Sequence, residues 1–182
     1  MKVGIGILGV ALVATLGDYI WYTMQVRHSI AAGIVHGGVL LTAVGAVLGL
    51  DAGRVLKGLP IGTLSGIGGA LIYYLLVALV DRRTYGTAIP ASWVAMWLLV
   101  AVLDGRWLRA PLRRPWGEIV TRGALAAILG GLAFYLVMNV LWGRPPATGR
   151  NYLVQFAAWV LAWAPGLLAL TVDRSSLPNR RT

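Results

Sequence analysis

Six long apolar runs constrain the fold of this chain more than any other feature. They cover residues 3–24, 30–50, 59–80, 88–103, 119–142 and 152–172. A helix needs about 20 consecutive apolar residues to cross a bilayer, and most of the runs are close to that length. Inside lipid the backbone must satisfy its own hydrogen bonds, which helices do within one segment. The sequence therefore predicts an all-α, polytopic membrane bundle of six transmembrane helices, forming a single domain over residues 1–182.

The composition agrees with a membrane protein and excludes several other classes. Hydrophobic residues make up 58% of the 182 residues and charged residues 12%, about half the charged fraction of a soluble domain. The chain has no cysteine, which excludes disulfides, thiolate metal sites and thiol nucleophiles. The net charge of +10 does not indicate nucleic-acid binding, because the basic residues lie in short connections between apolar runs.

The distribution of basic residues predicts the orientation of the bundle. The connections 25–29, 51–58, 81–87, 104–118 and 143–151 are short, so consecutive helices should be antiparallel neighbours. Eleven basic residues fall on the side that would hold both termini, and five fall on the opposite side. The basic residues on the side of the termini are Lys2, Arg54, Lys57, Arg106, Arg109, Arg113, Arg114, Arg122, Arg174, Arg180 and Arg181. Those on the opposite side are Arg27, Arg82, Arg83, Arg144 and Arg150. The positive-inside rule then places both termini in the cytoplasm.

Glycines at helical spacing mark the second and third runs. They are Gly38, Gly45 and Gly49 in the second run and Gly62, Gly66 and Gly69 in the third. Glycine disfavours a helix in water by roughly 1 kcal/mol relative to alanine, but in lipid small residues allow neighbouring helices to approach closely. We expect these glycines to pack the helices together, with the second helix enclosed by protein at the centre. The same faces are candidates for contacts between copies of the chain.

Polar side chains inside the runs are costly in lipid and need a reason. Asp18 and His36 both lie roughly 9–10 Å from the helix ends opposite the termini, at 1.5 Å per residue, and Tyr73 lies at the same level. Further polar and aromatic residues of the layer are Tyr22, Trp97, Tyr135, Asn139, Gln155 and Trp159. We expect this layer to bind a lipid or another small hydrophobic ligand in a cavity between the helices.

Other interpretations of the same residues stay open. Trp93, Trp142 and Tyr152 lie near helix ends, where aromatic residues commonly form the interfacial belt. Asp18 and His36 would serve a small proton-coupled transporter, and the glycine faces would serve a structural subunit of a larger membrane complex. No metal or haem cofactor is expected, since only two histidines exist and they lie about 12 Å apart along the helix. No catalytic residues are expected either, because the sequence shows no serine with a plausible base, no carboxylate pair on one helix face and no phosphate-binding loop.

The connection 104–118 is rich in arginine and tryptophan. It contains Arg106, Trp107, Arg109, Arg113, Arg114 and Trp116. The simplest interpretation is an anchor that fixes topology. Such clusters next to a membrane also recruit anionic lipid head groups, and the two interpretations are compatible.

Two segments carry a resemblance to a known family. One is His36-Gly37-Gly38 followed by small residues, and the other runs from Asn151-Tyr152-Leu153 to Trp163-Ala164-Pro165-Gly166. With six short-looped helices and cytoplasmic termini, the chain resembles the Insig family of sterol- and lipid-sensing membrane proteins and their bacterial relatives. The resemblance implies a lipid-sized cavity among the helices and a sensing or regulatory role without catalysis. The chain differs from the family in lacking cysteines.

Overall fold

The computed structural model describes residues 2–25, 29–79, 85–111, 113–137 and 151–171. These residues form six α-helices and no strand. The helices are α1 Lys2–Thr23, α2 Ile30–Asp51, α3 Val55–Leu79, α4 Tyr85–Leu103, α5 Trp116–Leu136 and α6 Tyr152–Thr171, and a π-helical turn, Asp104–Leu108, continues α4. Each of the six is long and apolar enough to cross a membrane. The predicted six-helix fold is confirmed, and the chain is a multi-pass membrane protein.

Helices α3, α4 and α5 begin three or four residues before the predicted runs, and in α3 and α4 a proline then lies inside the helix. Helix α3 begins at Val55, so Pro60 lies inside it. Helix α4 begins at Tyr85 rather than at residue 88, which puts Pro90 in its second turn instead of its first. A proline at these positions removes one hydrogen bond, to the carbonyl four residues earlier. The rest of the helix outweighs this single loss, because lipid offers the preceding residues no better conformation.

The six helices form a closed ring. Each helix packs against the next one in the chain, and α6 packs back against α1. Short connections alternate the helix directions, so the start of α1, the α2–α3 and α4–α5 turns and the end of α6 share one end of the bundle. We call this the terminal end, and the other the opposite end. The predicted positions of Asp18, His36 and Tyr73 fall in the opposite half.

Helices α2 and α3 make the closest backbone contact in the ring. A Cβ built on Gly45 would lie 2.7 Å from the backbone nitrogen of Gly62, and closer still to the carbonyl oxygen of Gly58. Thr42 Oγ1 lies 2.7 Å from Thr63 Oγ1 within the same contact. The other predicted packing glycines lie as follows: Gly49 against Val55, Gly66 against Gly37, Gly38 at an ordinary 3.6 Å from Ile67, and Gly69 against Met96 of α4. The glycines of α2 and α3 thus pack within one chain.

Helix α2 is not the centre of the bundle, contrary to the expectation. Val35 and Val39 are 64% and 58% exposed, so one face of α2 is not covered by the rest of the described chain. The most buried large side chains are instead Trp97 of α4 and Trp163 of α6, both 0% exposed. Small residues on two faces of α2 let α1 and α3 come close, but they do not require a partner on the third face.

Candidate functional site

Asp18 is bound by two neutral donors from α6. Gln155 Nε2 donates to Asp18 Oδ2 at 2.5 Å, and Trp159 Nε1 donates to the same oxygen at 2.7 Å. Gln155 and Trp159 are 2% and 6% exposed. Within the described part of the chain Asp18 makes no ion pair. The carboxylate is therefore fixed in position by hydrogen bonds, and no protein cation among those residues neutralises it.

His36 of α2 lies against α1 beside Asp18. Its ring is 5.5 Å from the ring of Trp21, in an edge-on arrangement. A Cβ built on Gly17 would lie 2.9 Å from His36 Cε1, so the glycine makes room for the imidazole. The contacts of His36 are thus with Gly17 and Trp21, while the hydrogen bonds of Asp18 go to α6.

Four tryptophans form a packed wall between α4 and α6. Trp163 lies 4.8 Å from Trp93, 5.8 Å from Trp97 and 6.1 Å from Trp159, measured between ring centroids. Phe134 of α5 stacks on Trp93 at 4.3 Å. Trp93 is only 8% exposed, so its interpretation as an interfacial belt residue was wrong. The signal in the sequence is the pair of i, i+4 spacings, which put two tryptophans on one face of each helix.

Glycines of α5 and α6 make room for the indole of Trp97 in this wall. A Cβ on Gly130 would lie 2.7 Å from Trp97 Nε1, and one on Gly166 would lie 2.6 Å from Trp97 Cε2. Any larger side chain at either position would displace the ring. Trp97 is consequently a packing residue behind the cavity described next.

A cavity of about 240 Å³ lies between α2, α3, α4 and α6. Its polar and aromatic lining comprises His36, Tyr73, Tyr74, Ser92, Trp93 and Trp163, and the remaining lining is aliphatic or glycine. Tyr74 Oη donates to the carbonyl oxygen of Ser29 at 3.1 Å, and Ser92 Oγ donates to that of Ile89 at 2.8 Å. Both hydroxyl protons are therefore used within the protein. The other lining residues whose side chains carry polar groups are His36, Tyr73, Trp93 and Trp163.

The nine residues expected to bind ligand separate into distinct positions. His36 and Tyr73 line the cavity. Asp18, Gln155 and Trp159 form a cluster next to it, joined to the cavity wall through the stacked rings of Trp159 and Trp163. Trp97 belongs to the tryptophan wall but is not among the residues that line the cavity. Tyr22 and Tyr135 are 56% and 57% exposed on the outside of the bundle, and Asn139 lies outside the described residues.

Sequence reasoning missed a buried ionic cluster at the terminal end. Asp104 is 0% exposed and accepts from Arg109 Nε at 3.1 Å and Arg114 Nη1 at 2.7 Å. Arg109 also pairs with Asp51 of α2 at 2.8 Å. Burial alone would lower the pKa of Arg109, but Asp104 and Asp51 outweigh it and raise that pKa. The sequence predicts a connection over residues 104–118, whereas a π-helical turn carries Asp104 into the bundle.

The same cluster ties the last helix to the turns. Arg114 and Arg122 donate to the carbonyl oxygen of Leu170 at 3.1 and 3.2 Å. Leu170 lies near the C-terminal end of α6, where a positive charge interacts favourably with the helix dipole. Glu118 pairs with both arginines. Arg54, after α2, donates to the carbonyl oxygens of Leu108 and Ala110. We call this set of paired side chains the ionic clasp; its members are Asp51, Arg54, Asp104, Arg109, Arg114, Glu118 and Arg122. The clasp lies at the terminal end of the bundle, and the cavity lies in the opposite half.

Together these features define a class: a six-helix, multi-pass membrane protein with a cavity in one half of a helix ring and an ionic clasp at the other. Comparisons with protein-family models, curated proteins and solved structures give no match. Within the described residues, no group of three histidine, aspartate or glutamate side chains is placed to hold a metal ion.

Proposed function

We propose that the protein binds a lipid or another small hydrophobic ligand in the cavity between α2, α3, α4 and α6, in a sensing or regulatory role rather than a catalytic one. The observation that carries the proposal is the lining of that cavity. Ligand sites are typically concave and mostly apolar, with a few polar groups that fix orientation. Aliphatic and aromatic residues supply the apolar surface here, and the few lining side chains with polar groups include His36 and Tyr73.

The volume limits what the ligand places in the cavity. At 240 Å³ the cavity lies just below the roughly 300–1,000 Å³ of common ligand pockets. A whole phospholipid does not fit, but a ring system or the end of an acyl chain does. Since the cavity is not fully enclosed, the remainder of a longer ligand would extend along the helices into the membrane.

Two further points support a lipid-like ligand. The cavity lies between helices that are long and apolar enough to cross a membrane, so a ligand dissolved in the bilayer would meet the ring without crossing water. The resemblance to the Insig family carries the same expectation, and it stands as part of this proposal. Membrane lipids are accordingly the proposed partners, and we propose no nucleic-acid partner.

A pair of substitutions on α3 tests the proposal. Ala70 lines the cavity, whereas Ala78, two turns later on the same helix, is exposed. Ala70→Phe should fill the cavity, and Ala78→Phe should add the same group to the lipid-facing surface. We expect mass spectrometry of the purified wild type to find a retained lipid-like molecule, Ala78→Phe to retain it, and Ala70→Phe to lose it.

The control for folding is thermal unfolding of the two phenylalanine variants in the same detergent. A wild type that retains no such molecule and shows no thermal shift with added sterols, fatty acids or phospholipids would contradict the proposal. Equal retention by both variants would place the ligand outside this cavity.

One observation favours a second candidate, a small proton-coupled transporter. Asp18 lies within α1, is held by neutral donors and has no ion pair among the described residues. Intramembrane carboxylates of this kind often relay protons. Proton-driven flux into proteoliposomes that is abolished by Asp18→Asn, but unchanged by Lys2→Gln at the exposed start of the same helix, would favour transport. Each ligand found on the purified protein would be tested as a transport substrate. If none of them shows proton-driven flux, the result would favour binding without transport.

A further inference from the structure

The terminal end divides its charged residues into an inward and an outward set. Asp51, Asp104 and Glu118 are the described acidic residues at this end, and all three are paired with the inward arginines. Those arginines are Arg109, Arg114 and Arg122. The positive charge of these three arginines is therefore largely neutralised by the acidic residues of the ionic clasp. The described residues at this end include eight basic and three acidic side chains, which leaves five positive charges.

The outward set combines cations with exposed apolar side chains. Lys57 and Arg113 are exposed and make no ion pair within the described ranges. Arg106 lies with its guanidinium carbon 4.8 Å from the centre of the Trp116 ring. The exposed apolar residues are Leu56, Trp107 and Trp116, at 84%, 60% and 56%. We call these six residues the basic–aromatic rim.

The chemistry of the rim matches one kind of surface. Tryptophan prefers the boundary between lipid and water, and the exposed leucine and indoles here lie at the ends of membrane-spanning helices. Arginine recognises phosphate through a planar fork of donors, and the Arg106 guanidinium lies within cation–π distance of Trp116. Acidic side chains, which would repel phosphate, are already neutralised by the clasp. A peptide partner would explain the charges, but not the apolar residues at the height of the membrane interface.

We propose that the basic–aromatic rim binds the head groups of anionic phospholipids in the leaflet at the terminal end. The proposal is independent of the cavity, which lies in the opposite half of the ring. The clasp orders the turns from which the rim projects, and the rim residues themselves supply the contacts with phosphate.

The test measures lipid enrichment around the full-length protein. The protein is reconstituted in vesicles of phosphatidylglycerol and phosphatidylcholine, extracted mildly, and the ratio of retained lipids is compared with the bulk ratio. Near an anionic surface each cation contributes roughly a fivefold preference. The triple variant Lys57→Gln, Arg106→Gln, Arg113→Gln should therefore lose roughly 100-fold in apparent affinity for phosphatidylglycerol. High salt should weaken the wild-type preference, because surface charges are screened.

Matched variants separate the rim from net charge and from folding. The double variant Arg144→Gln, Arg150→Gln removes charges from the α5–α6 connection and should retain the enrichment. The double variant Lys57→Gln, Arg113→Gln changes two exposed residues, and its apparent affinity for phosphatidylglycerol should fall roughly 25-fold. This variant replaces the triple variant in the test if the triple variant unfolds. Enrichment unchanged in both rim variants, or lost equally in the α5–α6 variant, would overturn the proposal. Equal thermal stabilisation of the protein by inorganic phosphate and by phosphatidylglycerol would also overturn it, in favour of a free-anion site.

Discussion

The contact between α2 and α3 can be tested with one methyl group at two positions. Gly38 and Gly45 are buried on the same side of α2, seven residues apart, and both face α3. A Cβ on Gly38 finds its nearest neighbour, Ile67 Cγ1, at an ordinary 3.6 Å. A Cβ on Gly45 would lie 2.7 and 2.8 Å from backbone atoms of Gly62, and closer to Gly58. We compare Gly38→Ala with Gly45→Ala.

The expected difference follows from what the two substitutions share. Both gain helix propensity, roughly 1 kcal/mol in water, so that contribution cancels in the comparison. Overpacking typically costs about 1–3 kcal/mol, and at Gly45 the clash is with backbone, which cannot rotate away. Separating the helices also weakens the hydroxyl pair of Thr42 and Thr63, worth about 0.6 kcal/mol in membrane proteins. We therefore expect Gly45→Ala to be less stable than Gly38→Ala by about 1.5–3.5 kcal/mol.

The assay is equilibrium unfolding of the purified variants, in mixed micelles with increasing denaturing detergent, followed by far-UV circular dichroism. The wild type calibrates the transition, and Gly38→Ala is the matched control. Two variants whose unfolding free energies agree within about 0.5 kcal/mol, the usual scatter of such comparisons, would refute the close backbone contact at Gly45.

Three further predictions concern other parts of the ring. Thr42→Val should lower the unfolding free energy by about 0.6 kcal/mol through loss of the hydroxyl pair, and no change in the same unfolding assay would mean that the pair contributes nothing. Asp104→Asn leaves Arg109 and Arg114 without their buried counter-charge and should cost about 3–5 kcal/mol; a melting temperature equal to that of the wild type would contradict a stabilising clasp. Tags at either terminus should be accessible only from the cytoplasm and a reporter at 144–150 only from the other side, and an externally accessible terminus would contradict the orientation.

The architecture was predictable because its causes are local. The length of an apolar run and the need to satisfy the backbone in lipid are both properties of consecutive residues, so the six helices follow from the sequence directly. The starts of α3 and α4 were less predictable, since Pro60 and Pro90 are typical of a helix start but lie within the helices here. The prediction that α2 is enclosed by protein was also wrong. Small residues such as Gly38 and Gly45 indicate that a neighbouring helix comes close, but they do not indicate how many neighbours the helix has.

The site was less predictable because its causes are distant along the chain. Asp18 and Tyr22 are four residues apart, and the sequence placed them on one face. Yet Asp18 is bound by α6, while Tyr22 is 56% exposed. Which part of a face meets a neighbour depends on the ring order, which no local pattern contains. Asp104 was treated as a loop residue because its partners, Arg109 and Arg114, follow a turn whose π-helical path is not evident from composition.

The closure of the ring by α1 and α6 has a consequence for biosynthesis. Asp18 enters the membrane with the first helix, and its donor Gln155 follows 137 residues later. At roughly 5–20 residues per second of synthesis, the carboxylate waits roughly 7–27 s for that donor. During this interval Asp18 must remain near water, the insertion machinery or a chaperone, since an unpartnered carboxylate is costly in lipid. Insertion of α6 is then the step that allows α1 to leave the insertion machinery or chaperone and enter the bundle. A chain truncated before α6 should therefore be recognised and degraded rather than accumulate as a five-helix protein.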